Sequence, residues 1–125
     1  MKPYVEKIST EVRYAEKSWG TYTVMDAEPG AMTVKVVLDA GSHMSYHTHE
    51  NRDEVWTIVS GNGKVILDGK LMKVGPGEVV HIMKGVKHSV IAETNMSIIE
   101  VQIGNEITAE DKLEYEFVIL DKKGK

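Results

Sequence analysis

A chain of 125 residues with 42% hydrophobic and 27% charged residues has the size and balance of one ordinary globular domain, which excludes a fibrous or disordered class. A formal charge of −4, and no apolar run near the ~20 residues of a bilayer span, argue against nucleic-acid and membrane partners. Without cysteine any metal must be held by nitrogen and oxygen, and with no signal-peptide core after Met1-Lys2-Pro3-Tyr4 a cytoplasmic location is the default expectation.

Eleven glycines divide the chain into short β-rich runs and almost nothing has helical period, so residues 1–125 read as a single all-β domain of at least eight strands. Residues 4–8 are an expected edge strand. Between the turns at Glu28-Pro29-Gly30 and Asp39-Ala40-Gly41, residues 33–38 alternate, with Val34, Val36 and Leu38 on one face and Thr33 and Lys35 on the other. Residues 53–60 form a β-branched and aromatic strand that stops at Gly61-Asn62-Gly63. The next two strands, 64–67 and 70–74, are joined by Asp68-Gly69, whose tolerance of positive φ predicts a type I′ hairpin. Strands at 79–83, 88–92 and 96–103 follow. Thr108-Ala109-Glu110-Asp111 predicts the N-terminus of a short helix before β character resumes at 115–120. Edge strands at 4–8 and 117–120 need cover, which predicts a homodimer.

Of five histidines, His47 and His49 are two apart, a strand spacing that places both imidazoles on one face within reach of a common centre. Glu54 opens the next strand, so its carboxylate can return to that centre. An isolated His-x-His pair is as readily two solvated or core imidazoles. The surrounding spacing decides between them: Gly41, five residues, His47, one residue, His49, four residues, Glu54, six residues, Gly61.

That spacing resembles the first motif of the cupin superfamily, and Gly77, Gly85 and His88 match its second, with Met83 and Ala92 where a proline and an asparagine are usual. The resemblance covers about residues 20–103. It implies a jelly-roll barrel (double-stranded β-helix) with one divalent transition-metal ion near one mouth, held by His47, His49, Glu54 and His88. Nitrogen and oxygen ligands suit zinc, iron, manganese, nickel and cobalt alike, and zinc is the expected ion.

A closer resemblance, over about residues 17–117, is to the type II phosphomannose isomerase domain. Lys17-Ser18-Trp19-Gly20-Thr21-Tyr22 is similar to its Arg-Pro-Trp-Gly-x-Tyr opening, Arg52, Glu54 and Trp56 fall on its Arg-Ala-Glu-His-Trp segment, and 99–104 is similar to its Ile-Glu-Val-Gln-Ser-Gly strand. Departures are His47 for a usual glutamine, Val36 for an arginine, and Asp111-Lys112-Leu113-Glu114-Tyr115 for Asp-Ile-Val-Arg-Phe, which removes two candidate phosphate-facing cations.

The resemblance implies a metal-dependent sugar-phosphate isomerase interconverting mannose 6-phosphate and fructose 6-phosphate. Lys35 and Arg52 are the candidates for the phosphate, and Gln102, sharing a face with Glu100 and Ile98, for substrate contact. The proton carrier is open among Glu50, Arg52, Asp53, Lys35, Glu100 and Gln102. Two other readings of the same ligands are an iron or manganese oxygenase and a non-catalytic, metal-stabilised carbohydrate-binding barrel. Trp19 and Trp56 are core residues or sugar-stacking platforms, and His43 and His81 are ordinary polar histidines.

Overall fold

The computed structural model describes residues 14–116. Eleven strands are present among them and no helix: β1 (Tyr14–Lys17), β2 (Gly20–Glu28), β3 (Ala31–Leu38), β4 (Tyr46–Thr48), β5 (Asp53–Ser60), β6 (Gly63–Leu67), β7 (Lys70–Val74), β8 (Val79–Ile82), β9 (His88–Ala92), β10 (Met96–Ile103) and β11 (Leu113–Tyr115). They form two antiparallel sheets, ordered β1-β2-β3-β10-β5-β8 and β11-β4-β9-β6-β7. This is the all-β jelly roll that the glycine spacing and the motifs predict. The segments 4–8 and 117–120, on which the dimer expectation rests, lie outside the described residues.

Alternation fixes which side chains face inward. On β3, Met32, Val34, Val36 and Leu38 are buried, as are Trp56 and Ile58 on β5 and Ile98 on β10, and they meet Val65 and Val90 of the opposite sheet in one core. Each such aliphatic side chain contributes about 1.5–3 kcal/mol by leaving water. The same parity turns Lys35 outward.

Turn chemistry sets the strand ends. Asp68 (φ 48°) and Gly69 (φ 85°) both take positive φ, the type I′ requirement, and β6 pairs with β7 in register from Leu67↔Lys70 to Gly63↔Val74. Gly61 (φ 84°) ends β5 where a Cβ would overlap the Asn95 carbonyl.

One expectation is corrected. Residues 108–111 form a turn and not a helix. Buried Ile107 anchors the segment, and the Asp111 carboxylate accepts the N–H groups of Glu50 (2.8 Å) and Asn51 (2.9 Å) on a different loop, so it does not cap a helix of its own. The chain then pairs at once with β4, Leu113↔Thr48 to Tyr115↔Tyr46.

Candidate metal centre

His47 lies on β4, His49 just beyond it, and His88 on β9 directly opposite His47 in the ladder. A ligand nitrogen from each falls within 4.8 Å of the other two, and all three side chains are buried. The turn at Gly85 ties the two motifs together, since its N–H donates to the His49 carbonyl (2.9 Å).

Each imidazole is locked in one tautomer by a backbone carbonyl. Nδ1 of His47 donates to Ser45 O (2.8 Å), that of His49 to Asp111 O (2.6 Å), and that of His88 to Val86 O (2.9 Å). A carbonyl can only accept, so every Nδ1 carries the proton and every neutral Nε2 presents its lone pair inward. Arg52 Nη2, a donor only, lies 3.1 Å from His49 Nε2, which requires the same tautomer. His88 Nε2 is buried without a hydrogen-bond partner among the described residues. Three inward lone pairs, one of them orphaned, fit a divalent ion that takes nitrogen ligands.

Glu54 borders this cluster. Its Oε2 lies 3.2 Å from His49 Nε2 and accepts from Arg52 Nε (2.9 Å), while Oε1 accepts from the Trp56 indole N–H (2.9 Å) and lies 3.8 Å from His88 Nε2. Burial alone would raise its pKa. The Arg52 guanidinium, with the imidazoles of His49 and His88, outweighs that and holds the carboxyl below the usual range. Burial lowers His47 to about 3, assisted by the other two imidazoles, and lowers His49 to about 4 against the opposing pull of Glu54. His88 is lowered as well, first by burial. Neutral imidazoles are the metal-binding form.

The cluster opens into a cavity of about 200 Å³. Trp19, Tyr22, Met32 and Trp56 are among its apolar walls, Glu54, Glu100 and Gln102 its polar wall, and Lys17 and Lys112 its cations besides Arg52. Glu100 and Gln102 are buried on the inner face of β10, with Gln102 Nε2 donating to Glu100 Oε2 (2.7 Å). Burial, then the negative charge of Glu54, pushes the Glu100 carboxyl well up.

The structure therefore brings His47, His49, Glu54, Arg52, Glu100 and Gln102 to one cavity, with His88 buried behind its wall against His47 and His49. It does not bring Lys35, which is exposed on the outer face of β3, nor Glu50, Asp53, His43 or His81. Arg52 is in place, yet its three nitrogens are spent on Glu54, His49 and the Thr108 carbonyl. Trp56 belongs to the core, and its N–H aims Glu54. Sequence reasoning missed Lys17, Lys112 and Asp111. Two signals were present: Lys17 stands where the similar opening has arginine, and Asp111 aligns with the aspartate of the late segment.

The family model described as mannose-6-phosphate isomerase C-terminal matches residues 6–116. The chain is 26% identical over 125 residues to the mannose-1-phosphate guanylyltransferase ManC of Salmonella typhimurium, covering 93% of this chain and 26% of that protein. It thus spans about a quarter of the length of that relative. Among solved structures it is similar to a substituted Streptomyces PAC13 with uridine (TM-score 0.73, 16% identity, 87% of this chain and 88% of that one). It is also similar to a Klebsiella pneumoniae protein with a double-stranded β-helix domain (TM-score 0.71, 15% identity, 88% and 95%). At these identities the two structures show the fold alone.

Proposed function

The chain belongs to the mannose-6-phosphate isomerase C-terminal family, and from that membership we propose that it interconverts mannose 6-phosphate and fructose 6-phosphate with one zinc ion. The carrying observation is the cluster of three tautomer-locked imidazoles, two of which line a cavity that also holds a buried carboxyl. His47, His49 and His88 would hold the ion, with Glu54 as fourth ligand. Bound there, zinc supplies Lewis-acid stabilisation for negative charge developing on the C1 and C2 oxygens.

The rest falls to the chain's own residues. Isomerisation moves a proton between adjacent carbons, so a carboxyl must face the ligand. Glu50 and Asp53 do not line the cavity, and Glu54 is committed to Arg52, Trp56 and the histidines. Glu100 is left as the proton carrier. Arg52 neutralises Glu54 and, through Thr108 O, holds the 107–112 segment over the site. Lys17 and Lys112 are the lining cations free of that network, so the phosphate is assigned to them. Isomerisation transfers no electrons to an acceptor, so it needs no redox-active ion.

The test is a coupled assay of mannose 6-phosphate conversion on protein purified without added metal, with elemental analysis. Zinc-dependent turnover that Glu100→Gln lowers by about 10²–10⁴-fold supports the reading. No turnover refutes it, and iron with oxygen uptake would replace it by an oxygenase.

A further inference from the structure

Gln102 has an acceptor that none of the described residues satisfies. Its side chain is fully buried on the cavity wall, and Oε1 has no hydrogen-bond partner among the described residues. Nε2 donates to Glu100 Oε2 at 2.7 Å, and in that orientation Oε1 is the atom left over. Buried polar groups are almost always paired, and a lone acceptor lining a cavity awaits a donor from whatever enters.

Register places this acceptor next to the chemistry. Gln102 is the cross-strand partner of Glu54 on β5 and of Met32 on β3, while Glu100 partners Trp56 and Val34. A group that reaches Oε1 therefore stands beside the Glu54 carboxylate, with an apolar flank at Met32. Charge decides which end of a ligand can be there. Glu54 is held ionised and the Gln102 carbonyl is an acceptor, so this wall favours an O–H donor over a phosphate oxygen. The cations Lys17 and Lys112 line the cavity instead.

We propose that Gln102 Oε1 is a hydroxyl-recognition point that sets the orientation of the ligand, taking an O–H of its neutral polyhydroxy end while the anionic end faces Lys17 and Lys112. This rests on the sugar-phosphate reading of the same cavity. It adds which end enters first and which atom distinguishes a hydroxyl from a bare carbon.

Calorimetric titration of the zinc-loaded chain tests it, using mannose 6-phosphate, neutral mannose and inorganic phosphate against wild type and Gln102→Met, a substitution of similar length without the acceptor. The variant should bind mannose 6-phosphate and mannose at least about tenfold more weakly and inorganic phosphate unchanged. Equal affinity of variant and wild type for both sugars overturns the proposal. If wild type ignores mannose 6-phosphate but binds mannose in a Gln102-dependent way, the isomerase reading falls and the hydroxyl point stands; binding of neither sugar overturns both. Should Gln102→Met fail to fold, a crystal structure of wild type with mannose decides: a hydroxyl about 3 Å from Oε1 supports the proposal, and a sugar whose hydroxyls avoid Gln102 refutes it.

Discussion

Stripped of metal by a chelator, the protein should lose stability steeply between about pH 7 and pH 5, because folding keeps His47 and His49 neutral. Burial lowers them to about 3 and about 4 from an ordinary 6.5. A folded value below the unfolded one means that the unfolded chain binds more protons. The stabilisation is therefore complete above about pH 6.5 and is lost as pH falls toward the folded values. At pH 5 an unfolded imidazole is almost fully protonated and a folded one almost not at all, so each residue costs about 2 kcal/mol and the pair about 4 kcal/mol. Glu54 does not enter in this window, since its lowered carboxyl contributes until pH falls below about 4.5. Glu100, raised by burial, opposes the loss and His88, lowered by burial, adds to it, so the share of His47 and His49 is read as the difference between wild type and a double variant. Set against a total stability of roughly 5–15 kcal/mol, the loss should lower the melting temperature by roughly 10–20 °C. Thermal and urea melts with chelator across this range measure it, with a His47→Gln/His49→Gln double variant as control, in which most of the slope should vanish. An unchanged slope in the double variant would refute the reasoning.

Single substitution of a ligand, His49→Ala or Glu54→Ala, should abolish stoichiometric zinc, and full occupancy by elemental analysis in both would remove the assignment. Asp111→Ala deletes the carboxylate that seats the loop carrying His49 but leaves the carbonyl on His49 Nδ1. Zinc affinity should fall about 10-fold in competition with a chromophoric chelator while the melting temperature moves little. Trp56→Phe keeps most of the buried ring but strips Glu54 Oε1 of its donor, for a loss of about 1–3 kcal/mol in urea melts. A dimer mass is expected in light scattering at micromolar protein, and a monomer would count against the edge-strand argument.

The fold was legible because its signals are local. Composition and turn residues predict β5, β7, β9 and β10 to the residue, and Asp68-Gly69 predicts its turn, because each depends on neighbours a few positions away. The clustering of these side chains was legible for a related reason: His47 and His49 share a strand end, and motif spacing carries Glu54 and His88. Thr108 to Asp111 misled for the converse reason. A threonine followed by acids in the first turn is a good helix start, and only the folded chain shows that the Asp111 carboxylate has been claimed by Glu50 and Asn51, about sixty positions away.

Lys35 shows where the residue type was given more weight than the geometry. A lysine was wanted for phosphate, but the alternation that buries Val34 and Val36 already commits Lys35 to the other face. The cations that do line the cavity, Lys17 and Lys112, are ninety-five positions apart, and no local pattern pairs them. The same parity rule identifies Glu100 and Gln102 as inward once Ile98 is taken as core, so two polar side chains on a buried face were the strongest site signal outside the motifs. Burying an amide and a carboxyl side by side is costly unless they satisfy one another, and here they do so only in part: Nε2 is paired and Oε1 is not. An incomplete pair on the wall of a cavity is retained at a cost in stability, and no described residue supplies the donor that would offset it.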